Sequence, residues 1–119
     1  LAGPSTLYDW SYYNSTNLWV GARVSDVMTQ YVGQPWDTTA YKAVSPYWNV
    51  NAGTQPTIIF HGVPDAVIPV YQSQWMSDKL TTLGVTHEYH EYPLANHDFA
   101  NEKDDAMNKL VAFFKTHLK

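Results

Sequence analysis

The chain contains no cysteine, which excludes a disulfide framework and thiolate metal sites and leaves the compartment open. It has no apolar run long enough to cross a bilayer. Basic charge is sparse and scattered, with seven Lys and Arg against eleven Asp and Glu and a formal charge of −4. No electrostatic footprint for nucleic acid or an anionic membrane surface is present, and neither partner is expected. The opening LAGPSTLYDW has neither the basic nor the apolar region of a targeting segment, and it reads as cut rather than natural. Cytoplasmic and secreted locations both stay open. The sequon Asn14-Ser15-Thr16 would matter only in a glycosylating secretory pathway. Internal repeats, low-complexity tracts and flexible linkers are also missing.

What is there suits one globular domain: 119 residues, 45% of them apolar. Residues 1–50 are aromatic and irregular, with Tyr8, Trp10, Tyr12, Tyr13, Trp19, Tyr31, Trp36, Tyr41, Tyr47 and Trp48 among Ser, Thr and Asn. A strand remnant is expected at Leu1 to Gly3, a loop through Tyr13, a helix around Asp26 to Tyr31 closed by Gly33, and a short helix near Asp37 to Val44 stopped by Pro46. Residues 51–119 are regular. Thr57 to Phe60 is a short apolar, β-branched run between Pro56 and Gly62, as in a buried parallel strand. Tyr71, Trp75, Met76, Leu80 and Leu83 recur at helical spacing before Gly84. Val85 to Tyr92 alternates weakly, as a strand near a sheet edge does. Met107, Leu110, Val111, Phe114 and Leu118 form the stripe of a last helix capped by Asn101. The order strand, helix, strand, helix predicts an α/β layer with a parallel sheet.

In such a sheet, ligands and reactive groups gather beyond the carboxyl ends of the strands. Asp65 follows the first of these strands and His97 the second, so both fall on one rim. A carboxylate that accepts from one imidazole nitrogen fixes the tautomer, and the other nitrogen can then take a proton from a hydroxyl nucleophile. Two plainer readings compete: a helix cap at Asp65 for the helix starting near Val70, and a structural loop pair. His61, His87 and His90 invite a zinc reading, but His87 and His90 are three apart on a strand and face opposite sides. No metal and no cofactor is expected.

HGVPDAVIPV followed by EYHEYPLANHDF, with AVSPYWNV ahead of them, resembles the C-terminal end of an α/β-hydrolase fold. Similar endings occur in carboxylesterases of the feruloyl and acetyl-xylan type, in dienelactone hydrolase relatives and in prolyl-oligopeptidase-like peptidases. The resemblance runs from about Ala43 to the C-terminus and is loose before it. It implies an α/β fold of parallel strands with flanking helices, Asp65 as the catalytic acid and His97 as the base. Residues 1–50 would be a lid-like helical segment following strand six, and residues 51–119 the C-terminal strand-helix-strand-helix unit of the core. Trp10, Tyr12, Tyr13 and Trp19 would then line the substrate pocket.

The family's nucleophile elbow, Gly-x-Ser-x-Gly, is missing: glycines stand at 3, 21, 33, 53, 62 and 84, and none brackets a serine at that spacing. Ser5 follows what resembles strand six, where the lid begins, and is not assigned as the nucleophile. Asn96 stands where these families often have Gly. The expectation is therefore a C-terminal portion of a serine carboxylesterase, inactive alone, acting with its missing N-terminal part on a small-molecule or carbohydrate-linked ester. Its open sheet edge would pair with that part or with a second copy. The competing expectation is a non-catalytic carbohydrate-binding module that stacks exposed aromatics on sugar rings.

Overall fold

The computed structural model describes residues 9–15, 18–19, 22–65, 67–97 and 99–117, with only the backbone described for Trp10, Ser11, Leu18, Trp19 and Ala22. The centre is a parallel pair, β3 (Thr57–Gly62) and β4 (His87–Tyr92), in register from Thr57 opposite His87 to Gly62 opposite Tyr92. Both strands stop at the same level, so both following loops leave from one edge. Helix α5 (Val70–Leu83) makes the crossover that a parallel pair requires. It ends at Gly84, whose φ of 73° is left-handed, and the Val85 N–H turns back to the Leu80 carbonyl at 3.0 Å. Met76, Leu80 and Val85 form a core under β3, joined by Ile59, Leu83, Tyr47 and Val50.

The expected strand ended at Phe60, but the ladder continues through His61 and Gly62. The apolar pattern stops earlier because His61 is polar, yet it is fully buried. On α5, Trp75 is 43% exposed, while the polar pair Gln72 and Ser73 is buried. Both find hydrogen-bond partners inside, Gln72 on Asp9 and Ser73 on His61, which offsets the cost of burial.

Helix α6 (Lys103–His117) has Asp104 and Asp105 in its first turn and Lys115 and His117 in its last, each favourable to the helix dipole. It starts two residues past Asn101, and the Phe99 carbonyl accepts the Glu102 and Lys103 N–H groups at 3.2 and 3.0 Å. Ala106 and Phe113 are its buried residues, with Leu110 half-buried beside the cluster of Phe60, Ala95, Phe99 and Ala106. Met107, Val111 and Phe114 from the expected stripe lie instead on the outside, at 54%, 43% and 45% exposure. Leu118 and the strand remnant Leu1 to Gly3 lie outside the described residues.

Before β3, one helical turn, α1 (Trp10–Tyr13), replaces the expected loop. The Asp9 carboxylate accepts the Tyr12 N–H at 3.2 Å, and its backbone carbonyl accepts the Tyr13 N–H at 2.8 Å. Two-residue strands β1 (Leu18–Trp19) and β2 (Ala22–Arg23) pair antiparallel. Helix α2 (Val24–Val32) ends at Gly33, with φ 89°. Helix α3 (Thr38–Ala43) is capped by the Asp37 side chain, which accepts the Ala40 N–H at 2.7 Å. Pro46 begins the short helix α4 (Pro46–Asn49) rather than merely ending its predecessor, because its missing N–H costs nothing in a first turn. Tyr12, Val24, Met28 and Tyr41 share a core with Ile68 from the loop after β3. That shared core ties the aromatic segment to the sheet rim.

Candidate active site

The loop after β3 is held from several sides. The Asp65 N–H reaches back to the Gly62 carbonyl at 3.1 Å. Asp65 Oδ1 accepts the backbone N–H groups of Val67 and Ile68 at 2.8 and 2.9 Å, a closed turn of the kind short carboxylate side chains favour. Ile68 is fully buried as the anchor of the loop. The Tyr12 hydroxyl donates to the Val67 carbonyl at 2.7 Å. The Asp65 side chain has no exposed surface, so its oxygens depend on such donors in place of water.

His97 is delivered by the turn after β4, and that turn is pinned on both sides. Ahead of it, fully buried Ala95 lies so close to β3 that a Cβ on Gly62 would sit 1.9 Å from the Ala95 carbonyl oxygen. Glycine is required at position 62 by this approach. Behind it, Phe99 takes φ 52°, a left-handed conformation unusual for a bulky residue. Its ring is fully buried and meets Tyr92 edge-on at 5.2 Å. Between these pins, His97 Nδ1 stands 2.9 Å from Asp65 Oδ2. The ionised carboxylate only accepts, so Nδ1 carries the hydrogen and Nε2 keeps its lone pair when the ring is neutral. The His97 side chain is 35% exposed. The geometry suits a general base oriented by a buried acid.

A second imidazole meets the same acid. His61, fully buried, places Nε2 2.8 Å from the Ile68 carbonyl and 3.3 Å from Asp65 Oδ2, and Nδ1 2.5 Å from Ser73 Oγ. His87 turns to the Val85 carbonyl and to Ser77 and Thr81. His90 pairs with Glu88 and stacks on Phe60. The three imidazoles of the zinc reading therefore go to different partners.

Of the four aromatics expected to face substrate, Tyr12 and Tyr13 have described side chains. Tyr12 is 1% exposed and belongs to the core, which corrects its expected role: a ring packed among Val24, Met28, Tyr41 and Ile68 cannot stack on a ligand. Burial first, then the charges of Asp65 and Asp9, push its hydroxyl well above its ordinary value, so it remains a donor to Val67. Tyr13 packs against Trp36 and Tyr41 at 5.3 and 5.7 Å. Its hydroxyl accepts the Trp36 N–H at 3.3 Å and lies 3.3 Å from the Thr29 hydroxyl. The side chains of Trp10 and Trp19 lie outside what is described.

Asp9 gave no signal in the sequence. It is buried and accepts from the Tyr71 hydroxyl at 2.7 Å and the Gln72 amide at 3.0 Å. It thereby ties α1 to the first turn of α5. Among the described side chains no serine hydroxyl is bonded to His97. Ser45 donates to the Tyr41 carbonyl, Ser73 meets His61 and Ser77 meets His87.

A family model described as the prolyl oligopeptidase family matches residues 4–119. Among solved structures, the chain is similar to an acetyl ester-xyloside bifunctional hydrolase from Caldicellulosiruptor lactoaceticus. That match is 22% identical with a TM-score of 0.64 and covers 71% of this chain and 33% of the other. It is also similar to the thermophilic esterase Est2 from the Planctomycetes species Thermogutta terrifontis, at 26% identity and a TM-score of 0.59 over 80% of this chain and 33% of the other. The chain thus spans about a third of the length of each. No curated protein matches it. The layout of parallel strands with flanking helices is that of a partial α/β-hydrolase fold.

Proposed function

The chain belongs to the prolyl oligopeptidase family, and we propose that it carries the acid and the base of a serine hydrolase that cleaves acyl esters. The observation that carries the reading is the 2.9 Å bond from His97 Nδ1 to buried Asp65 Oδ2, at the carboxyl edge of a parallel strand pair. A serine from a segment beyond these 119 residues attacks the ester carbonyl. His97 Nε2 takes its proton and returns it to the leaving alcohol, while Asp65 holds the ring and stabilises the imidazolium. Water then discharges the acyl-enzyme by the same route. The names of the two solved neighbours, an acetyl ester-xyloside hydrolase and an esterase, favour a small-molecule or carbohydrate-linked ester.

The segment carrying the serine belongs to the same fold. It covers the second edge of β3 and the apolar stripe of Met107, Val111 and Phe114, which are exposed among the described residues. The family's description favours a second reading, peptide hydrolysis by the same groups with an amine leaving.

The test uses the full-length polypeptide that carries this sequence, assayed on p-nitrophenyl acetate, acetylated xylo-oligosaccharides and prolyl peptides. Asp65→Asn and His97→Ala should each lower kcat by about 10⁴-fold, and a fluorophosphonate probe should label a serine outside residues 1–119. Residues 1–119 alone should turn over none of the substrates. Wild-type rates in both variants would end the hydrolase reading, and cleavage of the peptides alone would replace the esterase by a peptidase.

A further inference from the structure

We propose that His61 is a positioning residue of this site: its Nε2–H, given to the Ile68 carbonyl, holds the loop of Asp65 and lies against Oδ2 of the carboxylate that orients His97. The inference rests on the hydrolase reading above and extends it to a residue outside the acid–base pair.

The tautomer follows from the partners. A backbone carbonyl can only accept, so the nitrogen 2.8 Å from the Ile68 oxygen carries a hydrogen. That same Nε2 lies 3.3 Å from Asp65 Oδ2, the oxygen that His97 uses at 2.9 Å. In the neutral ring, Nδ1 is then the acceptor, and the Ser73 hydroxyl at 2.5 Å is its donor. Ser73 is itself buried, 4% exposed, so water does not compete for this bond. A line of contacts therefore runs from Ser73 on α5 through the His61 ring on β3 to Asp65 and on to His97, hydrogen-bonded at its two ends and joined by the 3.3 Å approach of His61 to Asp65.

The arrangement does more than satisfy a core histidine. Oδ1 of Asp65 is already held by the Val67 and Ile68 amides, and Oδ2 takes the His97 hydrogen with Nε2–H of His61 beside it at 3.3 Å. Rotation of the carboxylate about its Cβ–Cγ bond would break these hydrogen bonds. The branch to the Ile68 carbonyl also closes the loop over the end of β3, so one buried ring fixes both the position of the acid's loop and the angle of its carboxylate. Such indirect supports commonly matter by 10- to 100-fold where they aim a reacting group.

The experiment compares His61→Leu, His61→Gln and Asp65→Asn in the full-length polypeptide. Glutamine returns an N–H₂ near the place of Nε2, with a hydrogen for the Ile68 carbonyl and a polar edge towards Asp65, whereas leucine fills the space without a donor. His61→Leu should lose about 10- to 100-fold in kcat with little change in KM, and His61→Gln should recover most of it. Independently of turnover, ¹⁵N NMR should find the His61 hydrogen on Nε2. A hydrogen on Nδ1 instead, or wild-type kcat in His61→Leu beside an inactive Asp65→Asn, overturns the proposal. If His61→Leu does not fold, the tautomer and His61→Gln decide, and a kcat for His61→Gln as low as that of Asp65→Asn counts against it. Failure of the hydrolase reading looks different: Asp65→Asn would then keep wild-type rates.

Discussion

Replacing Gly62 by alanine separates the placement of His97 from its chemistry. The added Cβ would lie 1.9 Å from the Ala95 carbonyl oxygen and 2.6 Å from its carbon. The obstacle is backbone, which cannot swing aside as a side chain does. To reach even 3.0 Å from the carbonyl oxygen, a distance real Cβ contacts essentially never undercut, strand and turn must part by about 1.1 Å. The turn is the element that gives, because β3 is held along its length by β4. His97 is two residues from Ala95, and its bond to Asp65 is 2.9 Å, so a displacement of that size takes the pair beyond about 3.5 Å, where a hydrogen bond is lost. Misplacing a reacting group by about 1 Å costs roughly 10²-fold in rate, and overpacking costs about 1–3 kcal/mol of stability. Gly62→Ala should therefore lower kcat on an activated ester by about 10²-fold while leaving a folded protein by circular dichroism. Chemical denaturation measures the stability change on the same sample. A variant with wild-type kcat would refute the argument, because it would mean that His97 does not depend on the contact between Gly62 and Ala95.

Three further outcomes follow from neighbouring groups. Tyr12→Phe leaves the Val67 carbonyl without its 2.7 Å donor and should cost about 1–3 kcal/mol in urea unfolding. It should also loosen the acid's loop, seen as faster exchange of the Ile68 amide. Phe99→Ala empties the centre of the cluster with Phe60, Ala95 and Ala106 and should cost about 3–5 kcal/mol; alanine keeps the Cβ and with it the left-handed strain, so a smaller loss would mean that the cluster closes over the space. The Tyr71 hydroxyl is pushed above its ordinary value of 10.0 by burial, then by its bond to Asp9 and the charge there. Its contribution is fully present below pH 10 and is lost as pH rises, since the unfolded chain ionises this group first. Tyr71→Phe should flatten the fall in urea midpoint above pH 10, and parallel falls in both proteins would contradict it.

From Pro56 onward the architecture was legible because each element has a local signature: a short β-branched strand, Gly84 past a helix end, acidic and basic residues at opposite ends of α6. The placement of Asp65 and His97 on one rim followed from strand order, whereas their hydrogen bond depends on the close approach at Gly62 and the left-handed Phe99, which no local pattern encodes. Burial in the aromatic segment was not legible either. Tyr12 looks like any surface tyrosine until Val67, 55 residues away, supplies its acceptor. For the same reason the inward polar face of α5 was missed: Gln72 and Ser73 are satisfied by Asp9 and His61, 63 and 12 residues away. Hydrophobic periodicity assigns such residues outward, and only partners distant in sequence reverse it. The stripe on α6 failed in the other direction, since helical spacing places Met107, Val111 and Phe114 together without saying what they face.

The in-register strand pair has a consequence for the order of folding. Asp65 and His97 are separated by 32 residues, all within one β3–α5–β4 unit and the turns at its end. Closing a loop of that length costs only about 3 kcal/mol of chain entropy, and contacts of short span form early. Asp65 and His97 can thus find each other within a single supersecondary unit, before any more distant strand has docked. On the proposed hydrolase reading, a nucleophile from another segment would meet an imidazole already turned and already held, so the slowest part of assembly would not have to align all three groups at once.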